Sequence, residues 1–307
     1  MPSITTKTLA LPATPTFAAP PPSPFSTIYS FGDSLSDVGN LSGLTLHAIP
    51  MAPYAEGVFS NGLLWVQQLA ALYYLPLPQS YLEGGNDYAI AGGSTGASSV
   101  HELNAADLPT QLGVFEIDHA DADPNALYTL SIGANDMFDV VTEFYRSPEN
   151  ALAAIQQAVG NEIDFIQSLA DDGAQNFLVM NVPDIGLIPN ITAGGALHSQ
   201  IASAVAGTYD YYLNVSLTNL ITEQGLNIHV LDAFSLMDQM VADPSFFGLT
   251  NTTDPLWSGT FTDPTSGTLA ATGDAAKGYL FFDGMHPTET GHLALAAAGY
   301  NALQPSA

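Results

Sequence analysis

Four short blocks, far apart in the chain, carry residue types that together could perform acyl transfer. They are Gly32-Asp33-Ser34-Leu35, Ala91-Gly92-Gly93, Gly133-Ala134-Asn135-Asp136 and Asp283-Gly284-Met285-His286-Pro287. A serine hydroxyl is a poor nucleophile until a neighbouring base takes its proton, so Ser34 has to be matched with a histidine. Among the seven histidines, His286 follows an aspartate, Asp283, by three residues. A single turn at that spacing can bring the Asp283 carboxylate to Nδ1–H of His286, which fixes the tautomer and leaves Nε2 free as base. Gly284 is expected to let this turn close and Pro287 to stiffen its exit.

A tetrahedral intermediate also needs donors aimed at its oxyanion. The backbone N–H of Ser34, the backbone N–H of Gly92 and the side-chain amide of Asn135 are the candidates, with Gly93 next in line after Gly92. Glycine lets the main chain approach a ligand closely, and an asparagine amide donates without adding charge. Each block also has a plain structural reading. Gly-Asp-Ser after a strand makes a turn or a cap, Gly92-Gly93 a strand exit, Asn135-Asp136 a helix cap, and Asp283 with His286 a surface hydrogen bond. Their joint presence favours the chemical reading. A metal site built from Asp33, Asp37, Asp283, His286 and His292 is the rival chemistry, but a helix after Pro287 would carry His292 away from His286, to cap that helix or face solvent.

The elements that must position these residues follow from the apolar pattern. Runs at Thr27 to Phe31, Asp87 to Ile90, Leu127 to Ile132, Asn176 to Asn181 and Asn227 to Leu231 are short and mostly apolar, as buried parallel strands are. Helices are predicted over Gly62 to Tyr74, with Leu63, Val66, Leu69, Ala70 and Tyr73 on one face, and over Glu149 to Leu169. Another is predicted from about His198 to Glu223, and a last one after Pro287-Thr288 carries Leu293, Leu295, Ala298 and Leu303. Strands alternating with helices make a parallel α/β sheet of about five strands. Ligands collect outside the carboxyl ends of such strands. Ser34 falls three residues past the first run, Gly92 two past the second and Asn135 three past the third, so one sheet edge should gather them.

The stretch from Asp243 to Lys277 breaks the alternation. It is rich in Gly, Thr, Asp and Pro, with isolated Phe246, Phe247, Leu256, Trp257 and Phe261. Long irregular segments inside compact domains are commonly functional. It is expected to wall the substrate cleft or to pack its own aromatics as a surface insertion.

Composition narrows the class of function. The chain has 307 residues and is 47% apolar, enough for one large domain over 26–307 after a proline-rich leader at 1–25. Its net charge of −27 comes from 30 acidic residues against three basic ones. Such a surface repels phosphate backbones and anionic headgroups, so neither nucleic acid nor a basic membrane anchor is expected. No run is long and apolar enough to span a membrane. There is no cysteine, hence no disulfide or thiolate chemistry. The shortage of Lys and Arg suggests a secreted or extracellular protein, although 1–25 makes a poor signal peptide.

The segments Phe31-Gly32-Asp33-Ser34-Leu35-Ser36-Asp37-Val38-Gly39-Asn40, Asp87-Tyr88-Ala89-Ile90-Ala91-Gly92-Gly93, Gly133-Ala134-Asn135-Asp136 and Asp283-Gly284-Met285-His286-Pro287 closely resemble the GDSL, or SGNH, hydrolases. Ala91 stands where many relatives have a first glycine. The resemblance spans about Ile28 to Leu303, and its long spacings suit the lipase and phospholipase/acyltransferase branch. It implies a flavodoxin-like three-layer α/β/α sandwich and a Ser34/His286/Asp283 triad without cofactor or metal. It also implies an oxyanion hole from Ser34, Gly92 and Asn135. The expected activity is hydrolysis of a small-molecule or lipid ester through an acyl-enzyme. An acyltransferase or phospholipase with the same site is the alternative within the family, and a flavodoxin-like binding module is the alternative outside it.

Overall fold

The computed structural model describes residues 22–305. Most of the expected leader, residues 1–21, lies outside the described residues. At 22–26 the chain is already attached, with Phe25 set edge-on against Tyr73 at 5.4 Å and Ser26 N–H donating to Asn125 O at 3.0 Å.

Four parallel strands form the centre: β1 (Ile28–Gly32), β2 (Leu127–Ser131), β3 (Asn176–Met180) and β4 (Asn227–Leu231), in that spatial order. β1, β2 and β3 are short, almost wholly buried runs, all five residues of β2 being buried, while the edge strand β4 leaves Asn227 exposed and His229 and Val230 half-buried. Among the described residues, nine α-helices accompany them. In chain order they are α1 (Asn40–Leu44), α2 (Trp65–Leu72), α3 (Leu108–Asp118), α4 (Ala134–Phe144) and α5 (Pro148–Asp171), followed by α6 (Pro189–Thr192), α7 (Ala196–Gln224), α8 (Ala233–Ala242) and α9 (Glu289–Ala302). Helices α2 and α9 pack together in one layer, while α3, α4, α5 and α7 make up the other, which gives the three-layer sandwich. One core of aliphatic and aromatic side chains fills both interfaces.

The predicted fifth strand is only partly formed. Around Asp87 the backbone pairs in parallel with β1, through Ser30 N–H to Asn86 O (3.0 Å), Tyr88 N–H to Ser30 O (2.7 Å) and Ile90 N–H to Gly32 O (3.1 Å). A regular ladder does not extend further, because the Asn86 side chain caps Ile28 O at one end and Gly92 turns left-handed at the other. This segment lies on one side of β1 and β2 on the other. The chain therefore reverses its direction of progress across the sheet at β1, the kind of crevice where ligands bind in open α/β sheets.

Register completes the positioning. Gly32, Ser131, Met180 and Leu231 stand side by side in one row, so the turns after β1 and β2 leave the sheet at the same edge. The predicted helix at Gly62 to Tyr74 is shorter than expected, and Leu63 is exposed where a core position was expected. In α9, Leu295 is buried but Leu293 faces solvent. Helices α1, α3, α6 and α8 fall where no helix was predicted, and α4 was foreseen only as the helix that Asn135-Asp136 would cap.

The irregular stretch at 243–277 does both things expected of it. Leu256 and Trp257 join Tyr54, Phe59, Ala91 and Phe282 in a second, smaller core, separate from the sheet. Phe261 lines the cavity next to Ser34. Phe246 is 80% exposed and packs edge-on against its neighbour Phe247, at 5.0 Å.

Candidate active site

Ser34 stands at the crest of a tight turn two residues beyond β1. Asp33 N–H donates to Ser131 O at 3.1 Å, and the N–H groups of Ser36 and Asp37 both return to Asp33 O at 3.0 Å. The Asp33 carboxyl takes Leu35 N–H at 2.9 Å and is buried, which pushes its pKa up to about 7. Asp37 faces the other way. Its carboxylate accepts the N–H groups of Gly39 (2.8 Å), Leu41 (3.0 Å) and Ala91 (2.8 Å), so the first block physically holds the second.

After Ala91 the chain turns at Gly92, where φ is +83°, a conformation that glycine adopts without strain. Gly93 N–H is used by Ile90 O at 3.0 Å. Among the described hydrogen bonds, the N–H groups of Ser34 and Gly92 meet no protein acceptor. Of the two glycines, Gly92 therefore has the amide to offer.

Asn135 is the second residue of α4. The helix starts after Gly133, where φ is +98° and where the Tyr209 ring and hydroxyl would stand 2.7 Å from any Cβ. Tyr209 in turn donates to the buried Glu162. Asn135 Nδ2 donates to Gly93 O at 2.8 Å, and the Asp136 carboxylate accepts Thr95 N–H (3.0 Å) and Thr95 Oγ1–H (2.7 Å). Burial raises Asp136 to about 6. The second and third blocks are thus bound to each other.

A residue outside the four blocks braces the same loop. His101 lies between Asp107 Oδ2 and Asp139 Oδ2, 3.1 Å from each, and Asp107 also accepts Ser94 N–H at 2.8 Å. Burial works against charge on this imidazole, but Asp107 foremost, then Asp136 and Asp139, outweigh it and raise the His101 pKa above the ordinary value.

The fourth block closes the site. His286 Nε2 is 2.9 Å from Ser34 Oγ, and His286 Nδ1 is 2.8 Å from Asp283 Oδ2. Asp283 Oδ1 accepts the N–H groups of Met285 and His286, both at 2.7 Å, and Tyr54 OH donates to Oδ2 at 2.7 Å. Burial alone would raise Asp283. The charge and hydrogen bond of His286 reverse this and, with the His286 N–H and the Tyr54 hydroxyl, hold the carboxyl at about 2. Burial likewise disfavours the His286 cation, yet Asp283, with a smaller contribution from Asp33, leaves the imidazole pKa above its ordinary value. Gly284 has a reason other than the one expected. Its φ is not left-handed; a Cβ there would stand 2.0 Å from Asn190 Oδ1, so the need is for close packing against α6.

His292 neither caps α9 nor faces solvent. It is fully buried, Nδ1 accepts Trp65 N–H at 3.3 Å, and burial, followed by the nearby His286 charge, lowers it to about 3. It stays neutral and takes no part in a site with His286. Among the described residues, no group of three or more His, Asp or Glu side chains comes together in a way that could hold a metal.

Ser34, Gly92, Asn135 and His286 open onto one cavity of about 270 Å³. Its apolar lining includes Leu41, Ile49, Ile188, Met237, Met240 and Phe261. Helix α8, which supplies both methionines, has no counterpart in the sequence reading. Tyr54 and His101 were also missed. Tyr54 is 229 residues from Asp283, and nothing local marks it.

The arrangement places a hydroxyl, an imidazole and a carboxylate in one hydrogen-bonded line, beside free amides and an apolar cavity. Comparison with known proteins agrees in family. The chain is 32% identical over 320 residues to Esterase EstA of Pseudomonas aeruginosa, covering 92% of this chain and 47% of that protein. It is 25% identical to GDSL esterase/lipase At2g40250 of Arabidopsis thaliana, covering 94% and 92%. It is 26% identical to phosphatidylcholine-sterol acyltransferase of Aeromonas hydrophila, covering 77% and 67%. The chain spans about half the length of the first of these relatives. The model of the GDSL-like lipase/acylhydrolase family matches residues 28–298, and the chain belongs to that family.

Proposed function

We propose that this chain hydrolyses carboxylic esters through an acyl-enzyme on Ser34. His286 Nε2 takes the Ser34 proton as Oγ attacks the ester carbonyl. Asp283 holds the imidazole through Nδ1–H and stabilises its cation. The developing oxyanion meets the N–H of Ser34, the N–H of Gly92 and Nδ2 of Asn135. His286 then gives its proton to the leaving alcohol. A water deprotonated by His286 attacks the acyl carbonyl, and Ser34 is released with its proton restored. The observation that carries this reading is the line from Ser34 Oγ to His286 Nε2 (2.9 Å) and from Nδ1 to Asp283 Oδ2 (2.8 Å). The apolar walls of the cavity support an acyl chain as the group bound there.

Ser34→Ala should reduce turnover of a soluble nitrophenyl ester by about 10⁴-fold or more while leaving the fold intact. Substantial residual hydrolysis would refute the assignment. Labelling of Ser34 by a fluorophosphonate separates the enzyme from a binding module, which would leave the probe unreacted. Likeness to phosphatidylcholine-sterol acyltransferase supports a second reading, transfer of the acyl group to an alcohol instead of water. Product analysis with and without an added alcohol distinguishes the two. The low Lys and Arg content supports a site of action outside the cell, which activity in the culture medium would test.

A further inference from the structure

Between Asp37 and Glu83, Glu56 is the one Asp, Glu, Lys or Arg in a chain of net charge −27. Among the described residues, eight of the twenty-one exposed large apolar side chains fall in 44–82, so this stretch is both uncharged and greasy on its outside. The turn after α1 is the sharpest case. Leu46 N–H donates to Gly43 O (3.1 Å) and His47 N–H to Ser42 O (2.7 Å), the bonding of a Schellman helix end. The left-handed position in that motif ordinarily belongs to glycine. Here it is Leu46, at φ 55°, followed by His47 at φ 63°. The strained leucine gains no packing in return, because it is 89% exposed.

Leu46 lies on a segment that helps to wall the ester-binding cavity. Leu41 and Ile49, on either side of it in sequence, line that cavity. Met51, also exposed, donates its N–H at 2.8 Å to the carbonyl of Phe261, which lines the same cavity and is itself half exposed. Leu44, Leu46 and Met51 are thus exposed apolar side chains on the segment that carries the wall residues Leu41 and Ile49, and Phe261 is an exposed wall residue bonded to that segment; these four make up an apolar rim.

We infer that this rim docks the protein on the surface of a zwitterionic lipid aggregate, so that an ester chain passes from lipid into the cavity without crossing water. The inference rests on the hydrolytic reading of Ser34 for what happens after docking. The choice of surface follows from charge: the rim has no Lys or Arg to attract anionic lipid, His47 being its one basic side chain, and the net charge of −27 repels such lipid. Side chains at the rim exchange water for hydrocarbon, the same burial that drives other apolar association.

The test uses vesicles of phosphatidylcholine and full-length protein carrying Ser34→Ala, so that binding is read independently of turnover. Added Leu46→Gly should leave the thermal midpoint unchanged or higher, since glycine suits φ 55°. It should also weaken vesicle binding about tenfold, the loss expected when a leucine no longer enters hydrocarbon. With Ser34 restored, Leu46→Gly and Met51→Asp should keep kcat/KM on a soluble short-chain ester and lose activity on the lipid aggregate. Vesicles of anionic lipid should bind less well than zwitterionic ones. The inference is overturned if the protein does not bind phosphatidylcholine vesicles. Equal losses on soluble and aggregated ester also overturn it, as does a dimer that Met51→Asp dissociates. Vesicle binding that depends on Leu46 in a protein without ester hydrolysis supports the docking surface and removes only the hydrolytic reading.

Discussion

Ser34 and Asn135 are held by the sheet, whereas Asp283 and His286 sit on a turn anchored to the main core through Phe281 and to a small core outside it through Phe282. The first pair follows β1 and β2, whose ends are fixed side by side by the pairing of Gly32 with Ser131. The second pair sits on a turn after Phe281 and Phe282. There Phe282 packs with Tyr54, Leu256 and Trp257, and Tyr54 reaches back to the Asp283 carboxylate. The lesson is that the proposed nucleophile and oxyanion donors inherit the rigidity of the main fold. The proposed base and its orienting carboxylate depend on a satellite of aromatic contacts and on four hydrogen bonds converging on one carboxylate.

Substitutions can break this comparison, and the largest expected effect is at Asp283. Asp283→Asn keeps the shape of the side chain but favours the wrong tautomer of His286, so kcat should fall about 10⁴-fold. A loss below tenfold in steady-state hydrolysis would mean that the turn contributes little. On the sheet side, Asn135→Ala removes one proposed oxyanion donor and should cost about 10²–10³ in kcat with little change in KM. If KM rises instead, Asn135 binds substrate and does not stabilise the transition state.

The two cores can be compared directly. Leu256→Ala, in the satellite, and Leu169→Ala, in the main core, both remove a buried leucine and should each cost about 2–5 kcal/mol in denaturant unfolding. Assayed well below both unfolding midpoints, Leu256→Ala should lower kcat severalfold and Leu169→Ala should leave it near wild type. Equal kcat values would show that the satellite core does not position the Asp283 turn.

The smallest expected effect is a displacement of the pH profile. Protonating His286 Nε2 removes the base, so kcat/KM falls as pH falls. Because Asp283 raises the His286 pKa against the opposing effect of burial, the half-point should lie above the ordinary histidine value of about 6.5. Asp283 itself, held at about 2, remains ionised throughout. A half-point below 6.5 would mean that burial outweighs the carboxylate.

Much of this was legible in the chain. The four regular strands fall within a residue or so of their predicted ends, because strands buried on both faces must be continuously apolar and short. The helices at 148–171 and 196–224 were visible through their apolar spacing and terminal Pro and Gly. Helix α3 was not. It buries only Leu108, Gln111 and Phe115, too narrow a stripe to stand out. The segment at Asp87 to Ile90 misled for a related reason: its residues are strand-like, but the Asn86 side chain and Gly92 confine its pairing to a few bonds. His292 misled because a polar residue near a helix start is ordinarily exposed, whereas this one is fully buried and accepts Trp65 N–H.

The sequence by itself singled out the proposed parts: Ser34, Gly92, Asn135, Asp283 and His286 stand out as candidates from local chemistry and spacing, since turns and strand exits are set by neighbouring residues. Only the tertiary structure decided that His286 meets Ser34 across 252 positions, that Gly92 and not Gly93 keeps a free amide, and that Tyr54 joins the carboxylate. Those outcomes depend on sheet register and on packing between distant segments. A hydrogen bond must close to within a few tenths of an ångström, and no local pattern of residues can encode that.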